Sequence, residues 1–343
     1  MPATALFEVE SRENWRDLLQ LSQQSALQQA WAYGDAAAGE RQRAVRVVAL
    51  SDGEPAACAQ ILHRRYPAGL GIALMMRGPV WLRPPAAGEE TAILSAIRST
   101  LPRTLTVWTP DDTDALAVRS GFHRIYTGYS TIQLDLRQSP SVLRSGLDGK
   151  WRNMLCRAEE VSLAIREVRG GYALDWLVEA NEAHRRKVGY RGPSPHFIRA
   201  LGVAQAPGQR LVLVAEEAGR PVAGIIVDRH GRSATYYAGC TSDRGRELRC
   251  HHRLLWEAIM RLKDAGTASL DLGGIDTEKA AGVARFKLGL GGEPVTLAGS
   301  YLIPPPRTVL KLRSFEKDAP ASAVAVRRRE KRKGPQRRAA LSM

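Results

Sequence analysis

Long apolar runs are missing from this sequence. None approaches the ~20 residues a membrane helix needs, so no membrane span is expected. The stretch MPATALFEVESRENW at the N-terminus has neither a basic start nor an apolar core, so no secretory signal is expected either. Cysteine is scarce. Cys58, Cys156, Cys240 and Cys250 fall at unrelated spacings with no CxxC pair. That argues against a metal site or a disulfide framework and fits a reducing cytoplasm. Acidic residues are also in short supply, 35 Asp and Glu against 50 Lys and Arg, for a net charge of +15. What is present is a 44% hydrophobic content, ample for a core, and 343 residues, a length suited to two domains of roughly 150 residues each.

The positive charge is unevenly placed. Residues 321–343 hold eight Lys or Arg and one Glu, a local +7 that leaves +8 for the body. Both favour a polyanionic partner: RNA, a nucleotide-linked substrate or an anionic lipid surface at the inner face of the membrane. The tail itself reads as disordered.

Internal similarity decides the organisation. VVALSDGEPAACAQIL (47–62) parallels LVAEEAGRPVAGIIV (213–227), each an apolar run, a polar turn with Gly-x-Pro and a second apolar run. The turns begin at Gly53 and Gly219, 166 residues apart. TAILSAIRSTL (91–101) before LTVWTPDD (105–112) parallels HRLLWEAIMRLKDAG (252–266) before ASLDLGGID (268–276). Phe122 of SGFHRIY answers Phe286 of ARFKLGL. Each half reads as strand, hairpin turn, two strands, helix, strand, helix, strand, with RAVRVVAL, ACAQILH and GIALMMRGPVW as strands. Leu254, Leu255, Ala258, Ile259 and Leu262 form one helix face, which Gly266 should end. DGKWRNMLCRAEE (148–160) and YALDWLVEANEAHRRKVGYR (172–191) read as helices of the second half. The expected boundaries are 1–147, 148–303, a helix in 304–320 returning to the first domain, and the tail 321–343.

This order is the pattern of the GCN5-related N-acetyltransferase (GNAT) fold, an α/β (α+β) architecture here expected twice in tandem. A donor in such a fold sits where two parallel strands diverge, with helix-start amides able to cradle a pyrophosphate. The coenzyme A signature [RQ]-x-x-G-x-[GA] is missing from both corresponding places. TSDRGRELRCHHRLL puts Glu247, not Gly, three places after Arg244, and RPPAAGEET loses two amide donors at Pro84 and Pro85. No bound cofactor is expected, and acyl-CoA is the less favoured donor.

From about residue 7 to 303 the chain resembles the FemABX family, the peptidoglycan-bridge aminoacyltransferases. The matches are LQQAWAYG (27–34), RGPVW (77–81), DLRQSPSVLRSGLDGKWRNMLCRAEEVSLAIRE (135–167), GYRGPSPHF (189–197), DLGGID (271–276) and RFKLGLGG (285–292). The resemblance implies transfer of an aminoacyl group from aminoacyl-tRNA to an amine on a cell-wall precursor. It makes Lys287 the candidate catalytic residue, a positive charge for the developing oxyanion. A surface Lys at a strand start is the competing reading. Tyr190, Arg191, Asp271, Phe286, Gly289 and Trp31 are the implied substrate-side residues. Gly289, Gly291 and Gly292 would let backbone approach a ligand, or else form a turn.

Other residues weigh less. Arg185, Arg186 and Lys187 read mainly as a solvated helix end. Lys150, Trp151, Arg152 and Arg157 could receive a tRNA end but read first as a solvated face. Asp111, Asp112, Asp271 and Asp276 could supply a base if a pKa were raised, although helix capping is the commoner role. His251 and His252 suit no metal. The first half carries His123 where the second carries Lys287. Two features depart from the family. No basic residue follows Trp31, where Asp35 stands, which argues against a nucleotide-linked muropeptide, and no helical arm fits between Gly202 and Arg210. Two alternatives stay open: an N-acyltransferase of the same fold using acyl-CoA or acyl-carrier protein on a sugar amine or polysaccharide precursor, and a non-catalytic RNA- or surface-binding protein.

Overall fold

The computed structural model describes residues 4–39, 41–111, 121–189, 192–276, 278, 280–320 and 323. Sixteen strands among these residues form two mixed sheets. They are β1 (Thr4–Glu8), β2 (Gln42–Ser51), β3 (Glu54–Arg65), β4 (Gly71–Met76), β5 (Val80–Trp81), β6 (Thr104–Thr109), β7 (His123–Tyr126), β8 (Ser130–Asp135), β9 (Ala164–Glu167), β10 (Arg210–Glu217), β11 (Arg220–His230), β12 (Ser233–Thr241), β13 (Ser269–Ile275), β14 (Glu293–Thr296), β15 (Ser300–Ile303) and β16 (Arg313–Ser314). The first sheet runs β16-β1-β2-β3-β4-β6-β15-β7, with β5 also on β3, and the second runs β14-β8-β13-β12-β11-β10-β9.

The two sheets repeat one plan, and the repeat is visible in fine detail. The β2–β3 hairpin turns on Asp52 (φ 51°) and Gly53 (φ 82°), and the β10–β11 hairpin on Ala218 (φ 49°) and Gly219 (φ 75°). Two consecutive left-handed residues make the tight turn that matches strand twist. Each hairpin is bulged, one between Ala49 and Leu50 and the other between Ala215 and Glu216. Alternation fills both faces. Val45, Val47 and Ala49 join one core cluster while Val48 and Leu50 join another. Likewise Leu211, Leu213 and Ala215 face the helix Cys250–Asp264, and Val212 and Val214 face the helix Tyr172–Val188. The expected apolar face of Cys250–Asp264 is buried, and Gly266 (φ 75°) closes it as Thr267 N–H reaches back to Leu262 O at 2.9 Å.

Sheet membership cuts across the boundaries expected from the sequence. Strand β8 lies in the second sheet, next to β13, and β15 lies in the first, next to β6. Each half therefore supplies one strand to the other's sheet. The expected boundary at 147/148 falls inside the second unit's core, because Ile132, Leu134, Leu143 and Leu147 all pack there. The connections that exchange the strands cross in direct contact. Leu297 N–H donates to Tyr129 O at 3.1 Å. A Cβ on Gly128 would stand 1.6 Å from Leu297 O, and one on Gly299 (φ 108°) would stand 2.4 Å from Tyr126 O. Only glycine permits this crossing.

Three further readings are corrected. GIALMMRGPVW is not one strand: β4 ends at Met76, Arg77 takes φ 54°, a cis Gly78–Pro79 bond follows, and β5 resumes at Val80. Phe122 and Phe286 do not share a conformation. Phe122 precedes β7 and packs on Trp108, whereas Phe286 lies in the helix Ala281–Leu288. Within 304–320 the helix is confined to Phe315–Asp318, with Phe315 against Phe7, and β16 joins the edge of β1. Of the tail only Ala323 falls within the described residues.

Candidate active site

The two units differ at their parallel strand pair. In the first, β4 and β6 stay paired over all six residues from Gly71↔Thr104 to Met76↔Thr109, and Arg77 N–H still donates to Thr109 O at 2.6 Å. Pairing therefore holds to the end of β4, and β5 beyond it pairs with β3 alone. Glu89, 1% exposed, accepts from Arg83 at 2.5 and 2.9 Å and from Ala86 N–H at 2.7 Å. The Arg83 bonds hold its carboxyl at about 2. Glu89, the first residue of the helix Glu89–Ser99, is thus held by Arg83 and by an amide of the loop that leads into it. In the second unit β12 and β13 pair only from Ser233↔Ser269 to Thr235↔Asp271 and then part. Gly273, at φ 72°, bulges β13 away from its other neighbour β8 at this point.

Lys287 spans the opening. Its helix, Ala281–Leu288, follows β13, and the Nζ ammonium donates to Gly274 O on β13 at 2.8 Å. The same ammonium lies 5.8 Å from the ring centroid of Tyr236 on β12. A Cβ on Gly273 would stand 3.7 Å from it. The competing reading of a surface lysine is wrong on burial, since Lys287 is 9% exposed. Burial pulls its pKa down to about 8, against the pull of Asp271, which supports the charge. A lysine with that pKa is still largely protonated at neutral pH.

Tyr236 leads to a second polar chain. Its Oη is 2.9 Å from His251 Nε2, and His251 Nδ1 is 2.6 Å from Thr241 Oγ1. Burial, with the nearby His252 and Lys287, lowers the His251 pKa to about 4, so the ring is neutral and links donor to acceptor. Phe286 packs edge-on against His251 and His252 and at a tilt against Trp151.

Asp271 is neither a helix cap nor a base. Its carboxylate accepts from Thr131 Oγ1 at 2.5 Å, Gly273 N–H at 2.7 Å and Arg77 Nη1 at 2.5 Å. Burial alone would raise its pKa, but Arg77, Thr131 and Gly273 overcome that and hold it below the ordinary value. An anion with its lone pairs engaged cannot take a proton from an amine. Asp276 instead accepts from Glu278 N–H at 3.0 Å, and Asp111 bonds Arg77 Nε. Arg77 is thus gripped by carboxylates from both units. Desolvation opposes its charge, yet Asp111 and Asp271 outweigh that and raise its pKa.

Other expected site residues lie elsewhere. Trp31 sits beneath the Arg46 guanidinium, 3.5 Å from its ring centroid, and Arg46 is held by Gln60 at 2.7 Å and Asp35 at 2.7 Å. That cluster ties the segment 27–34 to β2 and β3, so Trp31 serves the first unit's packing. Gly289 faces Trp151, whose Cδ1 would be 2.8 Å from an added Cβ, and Gly291 abuts Gly146 O. These glycines admit protein rather than ligand. Trp151 is 4% exposed, and the solvent side of its helix carries Lys150, Arg152, Asn153, Cys156 and Arg157. Arg185 and Arg186 both close on Glu182 at 2.6 Å. Tyr190, Arg191 and Asp112 lie outside the described residues. His252 packs on Trp151 at 4.8 Å. No cluster of His, Cys, Asp and Glu among the described residues could hold a metal, and no helix there is long and apolar enough to cross a membrane.

The residues that the sequence did not reveal are Arg77, Thr131 and Tyr236. Arg77 stood inside the RGPVW match, an arginine ending an apolar strand, but its partners are 34 and 194 positions away.

Known proteins share this architecture. Residues 144–293 match the model of the acetyltransferase (GNAT) domain. No curated protein matches the chain. Among solved structures, FemX superposes with a TM-score of 0.73 at 14% identity, covering 85% of this chain and 95% of its own. The C-terminal domain of a putative lysylphosphatidylglycerol synthetase from Agrobacterium fabrum gives a TM-score of 0.51 at 15% identity, covering 85% and 90%. A tandem GNAT protein from the clavulanic acid biosynthesis pathway gives 0.51 at 14%, covering 88% and 99%. The chain carries an acetyltransferase (GNAT) domain as the second unit of a FemABX-like tandem GNAT fold.

Proposed function

We propose that this protein transfers an aminoacyl group from aminoacyl-tRNA to an amine acceptor on a cell-wall precursor, forming an amide. The observation that carries the reading is the Lys287 ammonium, buried at the mouth of the second unit's open strand pair and anchored on Gly274 O at 2.8 Å. When an amine attacks the ester carbonyl, negative charge gathers on one oxygen. A fixed cation in a poorly solvated cleft stabilises that oxygen more than the neutral ester. Asp271, ionised and fully engaged, leaves proton removal to the acceptor's surroundings or to water.

Three points support an aminoacyl ester over coenzyme A. The loop after β12 turns inward on itself: Ser242 Oγ accepts from Gly245 N–H at 3.1 Å, and Arg244 is paired with Glu217 and Glu247 at 2.7 and 2.9 Å. In the first unit β4 and β6 stay paired through all six residues of β4, and Glu89 at the start of the following helix is tied to Arg83 and Ala86 N–H. A neighbour of the same fold bears a name that fits aminoacyl transfer, the C-terminal domain of a putative lysylphosphatidylglycerol synthetase. The exposed basic residues Lys150, Arg152 and Arg157 offer phosphate contacts beside the site.

The test is a donor screen with the full chain. Charged tRNAs are compared with acetyl-CoA and longer acyl-CoAs, using amine-bearing muropeptides as acceptors, and amide product is counted by mass spectrometry. Amide from a charged tRNA is expected, with roughly a 10²–10³-fold loss of turnover in Lys287→Met, the usual effect of removing one oxyanion donor. Amide from an acyl-CoA and none from any charged tRNA would overturn the reading.

A further inference from the structure

The Arg77 bridge belongs to neither unit alone. Arg77 comes from the loop between β4 and β5, is 7% exposed, and grips Asp111 at the end of β6 together with Asp271 on β13. Asp271 then bonds Gly273 N–H, the left-handed residue that makes the bulge, and the next carbonyl, Gly274 O, anchors Lys287 Nζ. On the other face, the Tyr129 ring lies 3.3 Å from where a Gly274 Cβ would be. The chain of contacts from Arg77 to Lys287 is continuous and has no water-wide gap.

We infer that Arg77, carried by the first unit, is the positioning residue of the second unit's site: its guanidinium fixes the Asp271 carboxylate, which sets the Gly273–Gly274 bulge and so the place of the Lys287 ammonium. The site is then incomplete without the first unit. This rests on the proposed role of Lys287 but not on the identity of the donor. A guanidinium suits the task because its planar fork can hold two carboxylates at once, while an ammonium is a point charge. The charged and titratable groups around Lys287 are Asp271 on β13, Tyr236 on β12, His251 on the helix Cys250–Asp264, Arg77 behind Asp271, and Tyr129, which bonds Arg77 and whose phenol is pushed above its ordinary pKa by burial. His251, with its pKa at about 4, carries no charge in the alkaline range where Lys287 titrates.

The experiment reads Lys287 directly. Competitive acetylation with acetic anhydride over pH 6–11, quantified at Lys287 by mass spectrometry, gives the midpoint of its titration in the full chain. Asp271→Asn removes the anion that supports the ammonium, so the midpoint should fall by about half a pH unit or more. Arg77→Met removes a cation while Thr131 and Gly273 still hold Asp271 ionised, so the midpoint should rise by a similar amount. Simple loosening of the fold would instead expose Lys287 and raise the midpoint in both variants. Shifts of the same sign, or none, overturn the inference. Arg77→Lys keeps the charge and guards against a variant that fails to fold. Its midpoint should stay near that of the unaltered protein, while the Gly273 amide exchanges with solvent roughly threefold faster or more. Unchanged exchange at Gly273 would also overturn the inference. Should the labelling behave as expected while no donor yields product, the aminoacyl-transfer reading fails and the positioning role stands.

Discussion

Replacing Lys287 by Met should stabilise the protein while cutting its turnover roughly 10²–10³-fold. A methionine keeps the length and apolar stem of the side chain and removes the charge. Burial brings the lysine's pKa from the ordinary 10.5 to about 8, and at ~1.4 kcal/mol per pKa unit the penalty for holding the charge is ~3 kcal/mol. Against this stands the lost bond to Gly274 O, worth ~1 kcal/mol. A net gain of ~1–2 kcal/mol is expected at pH 7. The sign follows from proton binding. Below about 8 both the folded and the unfolded protein carry the proton, and the full penalty is present. Between about 8 and 10.5 the unfolded chain holds a proton that the folded one has released, so the unaltered protein gains stability with rising pH and the variant's advantage shrinks. Urea unfolding at pH 7 and pH 10 measures this. A variant no more stable at pH 7, or an advantage that persists at pH 10, would refute the placement of a charged lysine in a desolvated cleft.

The same geometry makes other predictions. Turnover should fall as pH rises through about 8, where the Lys287 charge is lost, and stay level from pH 5.5 to 7.5, because His251 with a pKa of about 4 does not titrate there; a pH–rate profile decides it. Gly128→Ala should cost more than ~3 kcal/mol or prevent folding, since its Cβ would stand 1.6 Å from Leu297 O, whereas Gly149→Ala, with nothing within 4 Å, should leave thermal unfolding unchanged. Gly273→Ala forces a side chain into φ 72° beside Lys287 Nζ, and should cost ~1–2 kcal/mol in thermal unfolding and lower kcat. Deleting residues 321–343 removes a charge of +7 and should weaken binding to tRNA or anionic vesicles, with a shallower dependence on salt; equal affinity at low salt disposes of that role.

Much of the plan could be read from local pattern. The two hairpins announced themselves by Gly53 and Gly219, because a two-residue turn with both residues left-handed nearly dictates its sequence. The helix Cys250–Asp264 showed its apolar face and its terminating Gly266 for the same reason. Lys287 could be singled out by its motif, but not its burial, since a helix of eight residues with a mixed composition carries little periodic signal. The strand exchange was out of reach. β8 and β15 are ordinary short strands, and nothing local says which sheet will claim them. The crossing glycines Gly128 and Gly299 look like any turn residues until the opposing backbone is in place. Arg77 failed for a similar reason, since its burial is tolerable only with Asp111 and Asp271, and one of these is 194 residues away.

Duplication gave two strand pairs, and they part at different points: β4 and β6 after six paired positions, β12 and β13 after three. In the first unit, pairing runs through all six residues of β4 before β5 turns to β3, and Glu89 at the start of the following helix is tied to Arg83 and to Ala86 N–H. In the second unit, the Gly273 bulge ends the pairing after three positions and Lys287 stands in the gap. The first unit nevertheless keeps a direct stake in the second. Arg77 reaches the site from just past the last paired residue of β4, and it could not hold Asp111 and Asp271 together if β4 and β6 parted as early as β12 and β13 do. The longer pairing of one copy is therefore a condition for the rigidity of the other, and the exchanged strands keep the two from separating. On this basis a variant that loosens the first unit, such as Glu89→Ala, should alter the second unit's chemistry before it alters its fold, with the shift appearing first in the Lys287 titration.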